Sequence, residues 1–285
     1  MYKVVNNYTL SNDISIPCIG AGTWKYKDEV AYNSVKSALK AGYNHIDTAA
    51  VYDNEVEVGK AIYDSKISRE KLFITTKLWN TVTDYEGTIH AFKKSLDNLG
   101  LDYIDLYLIH WPNPVDCREN DKWKKRDIEC YKAMEDLYKQ GKIKAIGVSN
   151  FLSHHLEVIL DNCSIIPMVN QIRLFPGHVD ETTVEFCKKH NILLEAYSPL
   201  GEGALLDNED LMRIVANYPN KTAAQVALRW SLQRGFLPLP KSASNVRQAQ
   251  NIDIFDFEIS DEDMHKLNEI DHKCRMASYP DTALF

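Results

Sequence analysis

The chain has 285 residues, with 33 Lys and Arg against 40 Asp and Glu, so its formal net charge at pH 7 is −7. Hydrophobic residues make up 45% of the chain, which excludes an intrinsically disordered protein, and no apolar run approaches the ~20 residues of a membrane-spanning helix. The acidic balance also argues against a nucleic-acid binder, because phosphate neutralisation needs a clustered positive surface.

Apolar runs of strand length alternate with longer amphipathic segments along nearly the whole chain. At the start, Tyr8–Leu10 and Ile14–Ile16 predict a small β-hairpin ahead of the first full unit. The runs at 72–77 and 104–110 are short and mainly apolar, as expected for strands that are buried on both faces. The predicted strands lie near 18–23, 44–48, 72–77, 104–110, 143–148, 167–171, 192–197 and 236–239.

A helix-like segment follows each predicted strand, and Asp28, Ser153 and Asp180 stand where N-caps are expected. Eight such β-then-α units predict a (β/α)₈ barrel, with a doubly wound parallel sheet as the alternative. No linker or shift in composition divides the chain, so we predict one domain over residues 1–285. The predicted helices lie near 28–41, 54–65, 84–99, 127–140, 153–161, 180–190, 222–234 and 244–250, with one extra C-terminal helix at 261–271.

The doubly wound alternative is tested by the segment Gly20-Ala-Gly22-Thr-Trp-Lys25. It begins like the dinucleotide-binding motif G-x-G-x-x-G but has Lys25 in place of the third glycine. In that motif the third glycine permits close packing between helix and strand. The match is therefore weak. Gly20 and Gly22 indicate instead the end of a strand that a backbone or a ligand approaches closely.

Three further features are predicted to have no binding role. His154 and His155 are adjacent, whereas two metal ligands on one helix face need the i, i+4 spacing, so we expect them to begin an exposed helix and predict no metal site. Six cysteines without a CxxC pair, and an N-terminus without an apolar leader, predict reduced thiols in a cytoplasmic protein. The dense basic cluster is flanked by acids and is predicted to be a solvated loop; it consists of Lys122, Lys124, Lys125 and Arg126.

Polar side chains recur at or just after the end of one predicted strand after another. A single Asp or His at such a position usually caps or packs, but packing does not readily explain a whole ring of them. In a barrel all these positions meet at one mouth, which is the catalytic face of the fold. The ring consists of Asp47, Lys77, His110, Ser149, Asn150, Gln171, Tyr197, Ser198 and Lys241.

Four residues of this region suit proton donation to a carbonyl oxygen. A phenol has a pKa near ~10, and an ammonium beside it favours the phenolate and lowers that pKa. Tyr52 could therefore act as a general acid beside Lys77, with Asp47 holding the ammonium and His110 hydrogen-bonding the same oxygen. Carbonyl reduction also needs a hydride, which side chains do not supply, so a nicotinamide cofactor is implied.

These residues lie in segments that closely resemble the aldo-keto reductase superfamily over essentially the full chain, most of all its microbial diketogluconate and glyoxal reductases. The family fold is a (β/α)₈ barrel with NADPH across the C-terminal mouth, which agrees with the fold predicted above. The matching segments are GYNHIDTAAVYDNEVEVGKAI (42–62), LFITTKLWN (72–80), SLDNLGLDYIDLYLIHWP (95–112), GKIKAIGVSNF (141–151), EAYSPLG (195–201) and LPKSASNVR (239–247).

The resemblance implies roles for individual residues. Tyr52 would be the general acid, Asp47 and Lys77 its tuning pair, and His110 the group that orients the carbonyl. Trp24, Trp79 and Trp111 would form the walls of a substrate pocket that Tyr52 and His110 complete, whereas Trp230 is predicted to be ordinary core. In bound NADPH, the carboxamide would contact Ser149, Asn150 and Gln171, and the nicotinamide ring would stack on Tyr197. The diphosphate would contact Ser198 and Leu200, and the 2′-phosphate would contact Lys241, Ser242 and Arg247. The other residues that would contact NADPH are Gly22, Thr23, Trp24, Asp47, Gln250 and Asn251.

The chain departs from the family pattern after the sixth strand and near the adenine. The family commonly has N-Q-x-E-x-H-P, whereas this chain has Asn170-Gln-Ile-Arg-Leu-Phe-Pro176, so Arg173 and Phe175 replace Glu and His. Gln250 stands where the family often has Glu. None of these changes involves the four predicted catalytic residues.

Function is predicted at the level of reaction class. In the family that the chain resembles, loops and the C-terminal tail carry specificity, and the short loop Leu200–Asn208 and short tail after Asp271 resemble those of the microbial members. The resemblance therefore implies a small aldehyde or ketone as substrate, although a polar keto-sugar pocket would give a similar pattern. The alternative is an NADPH-binding, redox-sensing subunit of a larger assembly, which would need an appended segment or an exposed apolar surface. We expect a monomer that prefers NADPH over NADH and binds neither membranes nor nucleic acid.

Overall fold

Eight parallel strands stand side by side in chain order around a barrel, which the computed structural model describes over residues 6–272, 274 and 278–285. The ring closes between its last and first strands, where Gly20 N–H donates to Pro238 O at 3.1 Å and Gly22 N–H donates to Pro240 O at 3.0 Å. The hairpin strands are β1 (Asn7–Thr9) and β2 (Ser15–Pro17), and the barrel strands are β3 (Ala21–Gly22), β4 (His45–Asp47), β5 (Phe73–Leu78), β6 (Ile104–Ile109), β7 (Ile143–Ser149), β8 (Val169–Arg173), β9 (Leu193–Tyr197) and β10 (Leu237–Leu239).

Helices follow the strands and surround the barrel. The helices pack on the barrel because each has an apolar face. In the first helix, Ala31, Val35 and Ala38 recur on one face and are buried, while the opposite face is exposed. No helix of the described residues is both long and apolar enough to cross a membrane. The helices are α1 (Asp28–Lys40), α2 (Glu55–Ser65), α3 (Tyr85–Leu99), α4 (Lys122–Lys139), α5 (Ser153–Asn162), α6 (Glu181–Lys189), α7 (Glu209–Val215), α8 (Ala223–Gln233), α9 (Asn245–Ile252) and α10 (Asp261–Asn268).

The predicted (β/α)₈ barrel is confirmed, and the closed ring excludes the doubly wound alternative. The predicted hairpin is present at the amino-terminal end of the barrel. Tyr8 pairs with Ile16 in antiparallel register, and Asn12 Nδ2 donates to Lys144 O at 2.9 Å, near the start of β7. The hairpin therefore covers the end of the barrel opposite the mouth, and the mouth stays open to a ligand.

The prediction of a solvated loop at 122–126 was wrong for the backbone conformation and for Arg126, whereas Lys122, Lys124 and Lys125 are exposed as expected. These residues form the first turns of α4, which begins at Lys122 rather than at 127. Arg126 is buried, and its guanidinium donates to Asp127 Oδ1 at 2.8 Å and to Trp111 O at 3.2 Å. A buried charge needs such partners, and these partners tie the helix to the loop that follows β6.

Other boundaries differ by less. Asp180 caps α6 as predicted, but the N-caps of α1 and α5 are Lys27 and Leu152, each one residue before the predicted cap. Helix α7 was not predicted, because seven residues are too few for a clear period. The extra C-terminal helix is present and ends at Asn268 rather than at 271.

Candidate active site

A buried ion pair stands at the carboxyl ends of β4 and β5. Lys77 Nζ donates to Asp47 Oδ1 at 2.7 Å, to Asp47 Oδ2 at 2.8 Å and to Thr48 O at 2.8 Å. The side chains of Lys77 and Asp47 are 0% and 5% exposed. All three ammonium protons are used in these bonds, so the position of the charge is fixed by the two strands.

Tyr52 and His110 lie beside this pair. Tyr52 ends a short 3₁₀ turn (Ala50–Tyr52) after β4, and its ring centroid is 5.2 Å from Lys77 Nζ. The imidazole of His110, which follows β6, meets the Tyr52 ring edge-on with centroids 5.6 Å apart. The structure thus brings the four predicted catalytic side chains together at the mouth of the barrel.

Burial sets the protonation states of this group. Desolvation, with Lys77 as the second cause, holds the pKa of His110 well below its ordinary value, so its imidazole is neutral. Desolvation, and then the charge of Asp47, raises the pKa of Tyr52 well above its ordinary value. The predicted lowering of this pKa by Lys77 was therefore wrong for the protein alone. The physical reason is that desolvation of the phenolate, and then repulsion by the charge of Asp47, outweigh the attraction of the Lys77 ammonium.

A second polar group lies on the ends of β7, β8 and β9. Ser149 Oγ donates to Gln171 O at 2.8 Å, and Asn150 Nδ2 donates to His110 O at 3.0 Å. Tyr197 O–H donates to Asn150 Oδ1 at 2.8 Å. These bonds join the predicted carboxamide-binding residues to the predicted catalytic group.

Glu195 is a buried residue of this region that was not predicted. Its side chain is 0% exposed, and Gln171 Nε2 donates both to Glu195 Oε2 and to Asp47 Oδ2 at 2.8 Å. A carboxylate within the mainly apolar run Leu193–Tyr197 is the signal that could have identified it, since strands buried on both faces seldom carry a charge.

The opposite end of the mouth carries exposed cations. Ser244 caps α9 and accepts from Arg247 N–H at 3.4 Å, so the first turn of this helix presents free N–H groups near Lys241 and Ser242. Lys241 and Arg247 form no ion pair with an acid in the described part of the chain, and Lys241 Nζ lies 4.4 Å from the Tyr26 ring centroid. Unpaired cations at a helix N-terminus suit a phosphate group.

A small cleft lies next to these cations. A Cβ on Gly22 would lie 3.3 Å from Leu239 O, which is a tight contact, so a larger residue at this strand end would require a small shift of the neighbouring backbone. Gln250 is exposed and Asn251 is buried on α9. The cleft is lined by Ala21, Gly22, Thr23, Tyr26, Ser34, Val35, Ala38, Tyr43, Pro240, Ser242, Gln248 and Asn251. Ser198 and Leu200 lie in the loop after β9, next to the short 3₁₀ segment Gly201–Asp207.

Aromatic side chains surround the catalytic group. The Trp79 ring meets His110 edge-on at 5.2 Å, whereas Trp24 is 40% exposed at the rim. Phe285 packs between the walls, 5.5 Å from the Trp79 ring and 5.0 Å from the Trp111 ring. The tail thus supplies an aromatic wall that was not predicted. Trp230 is fully buried, as predicted.

The family departures change one corner of the mouth. The Arg173 side chain is 5% exposed, its nearest acid is Glu202 at 3.9 Å, and its nitrogens have no hydrogen-bond acceptor among the described residues. Phe175 stacks on His178 with ring centroids 4.8 Å apart. Packing against aromatic rings therefore replaces hydrogen bonding here, while Gln171 keeps its polar contacts.

His155 is buried, so the expectation that both adjacent histidines are exposed was wrong for this residue. Its Nε2 and that of His154 lie 3.0 Å and 3.2 Å from Asp281 Oδ1, a set that could surround a metal ion. However, His155 Nδ1 accepts from Leu152 N–H at 3.1 Å. The proton of the neutral ring must then sit on Nε2, where it opposes metal binding.

The chain matches the model of the Aldo/keto reductase family over residues 18–272. It is 48% identical over 277 residues to a glyoxal reductase of Bacillus subtilis (strain 168), covering 97% of this chain and 96% of the relative. It is 43% identical to a 9,11-endoperoxide prostaglandin H2 reductase of Trypanosoma cruzi, covering 97% and 95%. It is 39% identical to a methylglyoxal reductase of Escherichia coli (strain K12), covering 93% and 94%.

Solved structures show the same similarity. An aldo-keto reductase from a Medee basin deep-sea metagenome library superposes with a TM-score of 0.89 at 44% identity, covering 97% of this chain and 99% of that one. An aldo-keto reductase of Bombyx mori, solved in complex with NADP, superposes with a TM-score of 0.85 at 36% identity, covering 92% and 91%.

Proposed function

This chain belongs to the aldo/keto reductase family and is an NADP-dependent oxidoreductase, and from that premise we propose that it reduces the carbonyl group of an aldehyde or ketone with Tyr52 as the proton donor. The observation that carries the proposal is the group of Asp47, Tyr52, Lys77 and His110 at one mouth of the barrel. This group contains a phenol, a fixed charge and a neutral imidazole around one space, as carbonyl reduction needs.

The side chains divide the chemical work. NADPH, when bound, supplies the hydride. Tyr52 stays protonated because its pKa is raised, and it gives its proton to the oxygen of the substrate as negative charge develops there. Neutral His110 can donate a hydrogen bond to the same oxygen. Lys77, held by Asp47, places a fixed positive charge beside the Tyr52 ring and so favours the phenolate left after proton transfer.

The cofactor would lie across the mouth between the two polar ends. Its carboxamide would contact Ser149, Asn150 and Gln171, which the hydrogen-bond network holds in place. Its nicotinamide ring would stack on Tyr197, and its 2′-phosphate would bind Lys241 and Arg247. The remaining proposed contacts are Gly22, Thr23, Trp24, Asp47, Ser198, Leu200, Ser242, Gln250 and Asn251.

The substrate we propose is a small aldehyde or ketone. Trp79, Trp111 and Phe285 narrow the space above His110, and large flat rings offer apolar contact without a charged partner. The glyoxal and methylglyoxal reductases among the relatives point to small dicarbonyl compounds as the first to examine.

The test is loss of NADPH absorbance with a panel of small aldehydes, ketones, dicarbonyls and keto-sugars. We expect turnover with the small dicarbonyls and little with bulky ketones. Tight NADPH binding without turnover of any carbonyl would contradict the proposal and favour the redox-sensing alternative. Preferred turnover of keto-sugars would retain the reaction and overturn the substrate class.

A further inference from the structure

Glu195 is a buried acid that the proposed reaction does not use. It lies opposite Gln171 in the register of β8 and β9, so both side chains project into the barrel below the mouth. Its Oε2 accepts from Gln171 Nε2 at 2.8 Å, and its Oε1 has no hydrogen-bond partner among the described residues. A fully buried carboxylate is costly unless it is paired with a charge, fully hydrogen-bonded or neutralised by protonation.

The contact with Glu195 determines which way the Gln171 amide points. Gln171 Nε2 carries two protons, and they go to Asp47 Oδ2 and Glu195 Oε2, both at 2.8 Å. Both donors are thus used below the mouth, and the amide oxygen is the atom left for a ligand. An amide in this orientation accepts a hydrogen bond from an –NH₂ group, which the carboxamide of nicotinamide has.

Polar and titratable side chains of three strands, β4, β5 and β8, surround Glu195. On β4, Asp47 is paired with Lys77 of β5, so together they are neutral. His45, also on β4, lies 3.9 Å away; burial and then Lys77 lower its pKa to about 3, so it is uncharged as well. Gln171 on β8 is uncharged. Desolvation and then Asp47 raise the pKa of Glu195 to about 8, so the acid is neutral at pH 7 and ionises in mild alkali.

We propose that Glu195 is a positioning residue for the nicotinamide half of the cofactor: it locks the Gln171 amide oxygen toward the carboxamide, and its ionisation favours the oxidised over the reduced cofactor. The inference rests on the proposed cofactor contact of Gln171. The physical reason is that the oxidised ring carries a positive charge and the reduced ring does not, so a carboxylate one side chain below the ring stabilises only the oxidised form.

The first experiment measures dissociation constants for NADP⁺ and NADPH from pH 5.5 to 9.5 by fluorescence. In the ratio of the two constants, the contributions of the phosphates and of every other contact that both forms make to the protein cancel. Bound NADP⁺ lowers the pKa of Glu195, so the ratio Kd(NADP⁺)/Kd(NADPH) should fall as pH rises toward 8 and level off above it. We expect a fall of about tenfold, since an opposite charge at close range shifts a pKa by one or more units.

Two isosteric variants test the assignment. Glu195→Gln keeps an acceptor for Gln171 but cannot ionise, so its ratio should not change with pH. Glu135→Gln is the matched control, because Glu135 is also a buried acid but lies on α4, where it accepts from Ser164 and Ile165 N–H at 2.6 Å. Its ratio should follow the wild-type profile. A Glu195→Gln profile identical to wild type would overturn the role of Glu195.

A second experiment separates positioning from folding. Glu195→Leu removes the acceptor, so NADPH binding should weaken about 3- to 10-fold, the worth of one hydrogen bond. Binding of 2′,5′-ADP, which lacks the nicotinamide half, should stay at the wild-type value. Equal weakening of both ligands would contradict the inference. Failure of wild-type protein to reduce any carbonyl would count against the proposed function and leave these binding results unaffected.

Discussion

The two ends of the proposed cofactor site carry similar charged groups in opposite environments. At the catalytic end, Lys77 is fully buried and each of its three protons is donated to an oxygen. At the phosphate end, Lys241 and Arg247 are exposed, and no acid in the described residues pairs with them. At the catalytic end the charged groups are paired with each other, whereas at the phosphate end they remain available to bind a ligand.

The difference shows what each end can do. Breaking a buried ion pair would leave an unpaired charge in a medium of low dielectric constant. The pair therefore keeps its geometry as long as the barrel is folded. An exposed cation costs little to keep and gains a strong partner only when an anion arrives. Mutations at the first end should therefore affect folding and chemistry, and mutations at the second should affect only the choice of ligand.

The largest expected effect follows from Lys77→Met. This change leaves Asp47 buried without its partner, so we expect the free energy of unfolding to fall by about 3–5 kcal/mol. Carbonyl reduction should also be lost, because the charge beside Tyr52 is removed. Denaturant titration and turnover of the same preparation check both effects.

The double variant Lys77→Met with Asp47→Asn separates the two effects of that change. It removes both charges, so stability should recover much of the loss while activity stays absent. A double variant as unstable as Lys77→Met alone would show that the unpaired charge is not the cause of the instability.

Tyr52→Phe keeps the ring and removes only the proton. General acid catalysis contributes about 10²–10⁴-fold, so we expect kcat to fall by that factor. The Kd for NADPH and the free energy of unfolding should stay close to wild type, because the substitution removes one hydroxyl group and keeps the packing of the ring. Turnover near the wild-type value would remove Tyr52 from its proposed role.

Arg247→Ala tests the exposed end. A hydrogen bond to a charged group is worth about 1.5–3 kcal/mol, so NADPH binding should weaken about 10- to 150-fold. NADH lacks the 2′-phosphate, so its Kd should hardly change. Arg213→Ala is the matched control, since Arg213 is also exposed but pairs with Asp210 and Glu209 on α7. Equal loss for NADPH and NADH, or a wild type that prefers NADH, would contradict the assignment.

The smallest expected effect is that of salt. Raising the ionic strength screens exposed charges far more than buried ones. The Kd for NADPH should therefore rise several-fold between low and high salt, and kcat at saturating NADPH should stay constant. Arg247→Ala should show a weaker salt dependence of Kd. A kcat that fell in parallel with affinity would mean that the catalytic charges are less buried than the geometry indicates.

The placement of the four catalytic candidates could be predicted because of how parallel barrels are built. Asp47, Lys77 and His110 each follow a recognisable apolar run, and parallel strands end at one mouth. The order of the strands was therefore enough to predict that these side chains lie close together. Their protonation states could not be predicted in the same way, because burial raised the pKa of Tyr52 against the expected effect of Lys77.

Charged residues in the interior were the main failure of sequence reasoning. The charged neighbours of Arg126 in sequence predict a solvated loop, yet its guanidinium is buried and donates to Val82 O and Trp111 O as well as to the adjacent Asp127, and only the fold brings the two carbonyls to it. The apolar run around Glu195 indicates a buried carboxyl group, but it does not indicate that Gln171 and Asp47 lie beside it. Phe285 contacts Trp79 and Trp111, which are distant from it in sequence, so only the tertiary structure could place it at the pocket.

The sequence by itself determined the barrel, the order of its units and the identity of the groups at its mouth, since these follow from local periodicity and from the residues that end each strand. The tertiary structure alone decided which further charges are buried, as for Arg126 and Glu195, and which groups contact them. That decision depends on contacts between residues distant in sequence, such as Gln171 with Asp47 and Glu195, and on burial, which changes the free energy of a charge more than its sequence neighbours do.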